Sequence, residues 1–173
     1  HILEDDFIIE VEYEGWEHGD SMYGGKYGNI RDAVLWADYT GVVHQNIGAL
    51  DSGKTPFKFI GIATGRHTYR FDVSNNIGSA WVDGTIRYDN VRFTGDYRSG
   101  VPMYLFAVNV DGSAVEHNYT SVYSFSISQG GDKVLNFVPI LDPDGKPCMY
   151  DTVSKTFFYN LGAGQFQYKI LEQ

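Results

Sequence analysis

The chain has 173 residues, with 13 Lys and Arg against 22 Asp and Glu, giving a net charge of −9. That length fits one sandwich-sized domain, and the acidic balance excludes the basic footprint that nucleic acid or an anionic membrane surface requires. No run approaches the roughly eighteen apolar residues of a transmembrane helix, so membrane insertion is not expected.

Thirteen Tyr, eleven Phe and twenty Gly beside five Pro describe short strands joined by glycine turns. No stretch has helical periodicity with caps, and the chain reads as all-β. Residues 7–13 alternate cleanly, with Phe7, Ile9, Val11 and Tyr13 on one face and Glu10 and Glu12 on the other. Residues 15–28 read as a glycine-rich connection. Two strands follow, at 33–37 and 42–44, split by Asp38-Tyr39-Thr40-Gly41. A loop at 52–56 precedes a strand at 57–63, and residues 67–73 alternate again with Tyr69, Phe71 and Val73 inward.

Asp83-Gly84 lies between alternating strands, the preference of a two-residue type I′ hairpin. That turn pairs Val82 with Thr85, Trp81 with Ile86 and Ser79 with Tyr88. It puts Trp81, Ile86 and Tyr88 on one face, and Ala80, Val82, Thr85 and Arg87 on the other. Residues 103–110 are apolar on both faces apart from Asn109, as in a central strand between layers.

The last third begins with the alternation Tyr123-Ser124-Phe125-Ser126-Ile127-Ser128. It continues through Phe137-Val138-Pro139, Asp144-Gly145 and Tyr150-Asp151-Thr152-Val153. It ends with Phe158-Tyr159-Asn160-Leu161-Gly162-Ala163-Gly164-Gln165-Phe166. In combination this run resembles the closing strands of concanavalin A-like (LamG-like) jelly-roll modules of bacterial surface proteins and phage or prophage tail proteins. The likeness extends loosely back to His67, where a His-x-Tyr strand precedes the Val-Asp-Gly turn. It implies a fold more than a function, because that fold hosts lectins, glycan-binding modules, hydrolases and inert spacers.

Three chemistries merit weighing. Strand geometry places Glu10, Glu12 and Glu14 on one face, about 6.5–7 Å apart, which resembles the paired carboxylates of jelly-roll glucanases. Glu12 stands where that motif has Asp, however, and the chain start is the wrong place for it. A solvated outer face of an edge strand is the alternative. Calcium is left open: Asp142-Pro143-Asp144-Gly145 has half the look of a calcium loop but no following Glu, so a β-turn is expected. Asp32, Asp38 and Asp51 sit in loops that could converge. The five histidines lack zinc spacing, and Cys148, the single cysteine, reads as a small buried residue.

The third chemistry is carbohydrate, bound by aromatic faces with a few placed polar groups. Residues 15–44 supply that mixture in Trp16, His18, Asp20, Tyr23, Tyr27, Asn29, Arg31, Trp36, Asp38, Tyr39 and His44. Trp16, between Gly15 and Glu17, is the tryptophan expected at the surface, whereas Trp36 and Trp81 fit a core as well as a ligand face.

The expectation is a two-sheet antiparallel jelly-roll sandwich of the concanavalin A-like kind over residues 1–173. The chain opens at His1 without Met or signal peptide, which reads as one domain of a larger polypeptide whose other domains are partners. The resemblance implies an extracellular place, on a bacterial surface or virion. The expected function is non-catalytic adhesion to a glycan or cell-surface polysaccharide. Its ligand-binding set is Trp16, Tyr23, Trp36, Asp38, Tyr39, His44, Trp81 and Tyr88, with no catalytic residue and no obligatory cofactor. A structural or protein-binding spacer of a tail fibre or adhesin is the alternative, and a glucanase-like hydrolase the third reading.

Overall fold

Burial alternates residue by residue along Phe7–Glu14 (β1), so that Phe7, Ile9, Val11 and Tyr13 enter the core and the glutamates stay outside. The computed structural model describes residues 3, 6–16, 21–27, 30–49, 57–94, 97–98, 100–115, 117–162 and 165–170. Of Tyr27, Ile30, Arg31, Asp32 and Ala49 it describes the backbone alone. After β1 come β2 (Ser21–Tyr27), β3 (Ile30–Ala37), β4 (Val43–Ala49), β5 (Phe57–Phe59), β6 (Arg66–Ser74), β7 (Ile77–Val82) and β8 (Thr85–Arg92). The rest are β9 (Tyr104–Leu105), β10 (Val108–Val110), β11 (Ser113–Val115), β12 (Ser121–Gln129), β13 (Asp132–Leu141), β14 (Pro147–Asp151) and β15 (Thr156–Phe158). Among the described residues no helix is long and apolar enough to cross a membrane.

The strands form an eight-stranded sheet, β15-β14-β13-β12-β1-β6-β7-β8, and a second sheet, β11-β10-β2-β3-β4-β5, with β9 also on β2. Pairing is antiparallel except where β10 runs parallel to β2. The sheets pack as a jelly-roll-like β-sandwich, with one core between them. Aromatic pairs join the layers: Phe57 meets Phe71 at 5.1 Å, Phe59 meets Tyr69 at 5.4 Å and Tyr23 meets Phe125 at 5.5 Å. Gly78 makes the first of these possible, because a Cβ there would stand 2.8 Å from Phe57 Cζ and 3.1 Å from Phe71 Cε2.

Several local expectations are corrected. β1 is an interior strand between β12 and β6, not an edge, so its outer glutamates sit mid-sheet. The glycine-rich stretch after Gly15 contains β2. The strand expected at 57–63 ends at Phe59, and Ile60 is already exposed. Residues 103–110 are not one central strand. Phe106 takes φ 66° and its N–H bonds Met22 O at 2.7 Å, which splits the run into β9 and β10. Residues 52–56 lie outside the described residues.

The Asp-Gly hairpin forms as expected, with φ 51° at Asp83 and 72° at Gly84. Val82 pairs with Thr85 and Trp81 with Ile86, but the register then shifts so that Ala80, not Ser79, faces Tyr88. This β-bulge inverts the parity of β8. Ser79 Oγ accepts the Asn90 N–H at 2.9 Å, and Asn90 itself has φ 53°.

The motifs of the last third turn out to shape turns. The buried Asp151 carboxylate accepts from the backbone N–H groups of Asn136, Val153 and Ser154 at 2.9–3.1 Å. Asn136 Nδ2 donates to Thr152 Oγ1 at 2.6 Å. Asp142 accepts from Asp144 N and Lys146 N at 3.0 and 2.8 Å, and from the Tyr159 hydroxyl at 2.7 Å. The run from Asp142 to Gly145 is thus the expected turn, and Cys148 is buried beside it.

Candidate functional site

The eight residues singled out for ligand binding separate into four places. Trp16 is 5% exposed, contrary to the expectation that it faces solvent. Its backbone N–H donates to Ala63 O at 2.8 Å, and its ring meets Tyr13 edge-on at 5.3 Å. Tyr23 is buried too, its hydroxyl donating to Gln45 Oε1 at 2.8 Å. Both are corrected from ligand contacts to core.

Tyr88 is likewise structural. The bulge turns it inward between Phe57 and Phe59, with ring centroids 5.3 and 5.2 Å away. Its hydroxyl donates to Lys58 O at 2.6 Å and accepts from Lys58 N at 3.0 Å, tying edge strand β5 of one sheet to edge strand β8 of the other.

Trp36, Asp38, Tyr39 and His44 do gather, at the hairpin joining β3 and β4. Trp36 stacks on His44 with centroids 4.5 Å apart, and His44 Nε2 lies 2.9 Å from Asp38 Oδ2. Asp38 Oδ1 accepts from Thr40 Oγ1 at 2.6 Å, Thr40 N at 2.8 Å and Val42 N at 3.0 Å. Bonds from the Thr40 hydroxyl and then from His44 hold the Asp38 carboxyl far below the usual carboxylate range. With its carboxylate committed to this turn, the hairpin offers a ligand mainly Tyr39, which is 86% exposed. His18, Asp20, Asn29 and Asp51 lie outside the described residues, as do the side chains of Tyr27, Arg31 and Asp32.

Trp81 alone reaches the feature that most resembles a binding surface, the open face of the eight-stranded sheet. One ladder row crosses six strands there: Asn136 opposite Ser126, Ser126 opposite Glu10, Glu10 opposite Arg70, Arg70 opposite Trp81, and Trp81 opposite Ile86. At a strand spacing of about 4.8 Å this row extends about 24 Å. A shallow groove of about 360 Å³ follows it, lined by Glu10, Glu12, Arg70, Trp81, Ser126 and Asn136, with Thr68, Ser124 and Lys133 alongside.

The two arginines of this face are each paired with carboxylates. Arg70 gives one N–H to Glu10 Oε1 and another to Asp72 Oδ2, each at 3.1 Å, and its guanidinium lies 5.4 Å from the Trp81 ring centroid. Arg66 places Nε and Nη2 at 2.8 Å from Glu12 Oε1 and lies 3.8 Å over the Tyr123 ring. The Tyr123 hydroxyl donates to Glu14, and that bond, with some burial, raises its pKa.

Strand parity assigned Glu10, Glu12 and Glu14 to one face from the sequence, and the parity of Tyr69 and Phe71 equally sends Arg70 and Asp72 outward. Tyr123, Lys133 and Asn136 were missed. A bulge beside Tyr13 changes the parity of β12 at Tyr123, and a second between Ile127 and Ser128 shifts β13. Among the described residues no group of three or more His, Cys, Asp or Glu side chains could hold a metal ion. No protein-family model and no curated protein matches the chain.

Proposed function

We propose that this chain is a non-catalytic recognition module that binds a glycan on the open face of its eight-stranded sheet. The observation that carries the reading is the half-buried Trp81 at one end of a row of hydrogen-bonding groups, Arg70, Glu10, Ser126 and Asn136. An indole offers an apolar surface to the C–H side of a sugar ring, while fixed amide, hydroxyl and carboxylate groups match its hydroxyls. Because these side chains stand on paired interior strands, with Arg70 bonded to Glu10 and Asn136 to Thr152, part of the ordering cost of binding is already met.

Glycoside cleavage fits less well. It needs one carboxyl kept protonated beside an ionised partner, whereas Glu10 and Glu12 each face an arginine. In keeping with such a module, we propose that it works outside the cell, on a bacterial surface or virion.

A glycan-array screen of the chain, with calcium and with chelator, tests the reading and settles whether calcium takes part. Selective hits that Trp81→Ala abolishes are expected. A blank array in both conditions favours the second reading, a structural or protein-binding module. That reading has its own support in the exposed apolar residues at the β13–β15 end of the large sheet: Ile140, Leu141, Val153, Phe157, Phe158 and Leu161.

A further inference from the structure

We infer that the glycan taken by this face is uncharged; the inference rests on the glycan reading of the groove and narrows it to a ligand class. Four carboxylates, Glu10, Glu12, Glu14 and Asp72, stand on the face or at its margin, and the two arginines among them are already engaged. Arg70 divides its guanidinium between Glu10 and Asp72, and Arg66 spends two nitrogens on a single Glu12 oxygen. A uronate or sulfated sugar could reach only the N–H groups these guanidiniums have left over, with a like carboxylate charge standing beside it. The field of a chain with net charge −9 also disfavours an anion's approach.

A cationic amino sugar meets the opposite obstacle. Its ammonium would lie against guanidinium groups that already hold Glu10, Glu12 and Asp72, and Glu14 is held by Tyr123. What the groove has left is uncharged or spare capacity: the hydroxyls of Thr68 and Ser124, the positions of the Asn136 amide not spent on Thr152 and Lys133, and the remaining carboxylate lone pairs. That is a complement to neutral hydroxyls. Lys133 is the single groove cation without an ion pair among the described residues; its Nζ lies 3.5 Å from Asn136 Oδ1. Any preference for acidic sugars would therefore have to run through Lys133.

The test measures affinities of the chain for neutral gluco- and manno-oligosaccharides, oligogalacturonates and chitosan oligomers, at low and high salt. Trp81→Ala and Lys133→Met are measured in parallel. The neutral set should bind best, with affinity changing less than about twofold between about 0.05 and 0.5 M salt. Lys133→Met should likewise change it less than about twofold, whereas Trp81→Ala should lower it by about tenfold or more. A preference of about tenfold for the galacturonates, abolished by Lys133→Met or by salt, overturns the inference while leaving the glycan reading intact. So does a salt-sensitive preference for the chitosan oligomers. Absence of binding in all three sets, or neutral binding that Trp81→Ala does not alter, overturns the glycan reading of this face together with the inference.

Discussion

Tyr23 and Tyr69 come from opposite sheets and donate to the same atom, Gln45 Oε1, at 2.8 and 3.2 Å. All three side chains are fully buried, so one amide oxygen satisfies two phenols that have left water. Burial, reinforced by neighbouring phenols, pushes both tyrosine pKa values well above the ordinary value, so they are neutral donors at physiological pH.

Removing the shared acceptor should therefore cost more than removing either donor. Gln45→Ala strands two buried hydroxyls and opens a cavity, and should lower unfolding stability by about 3 kcal/mol or more. Tyr69→Phe deletes one donor with little change of shape and should cost about 1 kcal/mol. Urea unfolding of the two variants checks the order. Equal losses would mean that the hydrogen bonds do not act through Gln45.

Trp81 and Tyr88 should respond to truncation to different extents, although they share one hairpin. Tyr88→Ala removes a ring wedged between Phe57 and Phe59 and two hydrogen bonds to Lys58. A loss of about 3–5 kcal/mol is expected. Trp81→Ala, on the open face, should cost about 1 kcal/mol. Melting temperatures of the two variants decide it, and a larger loss for Trp81 would put that ring in the core.

This hairpin shows where the sequence stopped being legible. Its turn was readable, because Asp83 and Gly84 are the residues that tolerate positive φ. The bulge between Ala80 and Trp81 was not, since nothing in the alternation marks the extra residue, and that shift moved Tyr88 through the sheet. The large sheet was readable by parity wherever no bulge intervened, as in β1 and β6. Adjacency was not: Glu10 and Arg70 are 60 residues apart, and each taken alone looks like an ordinary surface charge. Trp16 misled for a related reason. Gly15 and Glu17 suggest a solvated loop, while the backbone of Trp16 is tied to Ala63 and its ring packs on Tyr13 in the core cluster.

Trp16→Ala should accordingly act on stability rather than on ligand. Its ring belongs to the main core cluster, and truncation there costs about 3–5 kcal/mol. Thermal unfolding should show the loss, while ligand affinity of the folded fraction stays within about twofold. A stable variant that no longer binds would place Trp16 in the site.

Asp151 should govern part of the acid sensitivity. Burial pushes its carboxyl pKa up, but bonds from Ser154 and from the backbone N–H groups of Asn136 and Val153 outweigh this and hold it below the ordinary value. A carboxyl whose folded pKa lies below its unfolded value of about 3.9 contributes stability above that pH, and the contribution is lost as pH falls through the folded value. Asp151→Asn keeps one acceptor oxygen and loses the charge, so at neutral pH it should be less stable by about 1–2 kcal/mol. As pH drops below about 4 the wild type should lose its advantage, and the two unfolding curves should converge. Denaturant titrations at neutral pH and at about pH 3 measure this directly. A stability gap that stays constant with pH would show that the β14–β15 turn depends on the shape of the side chain rather than on its charge.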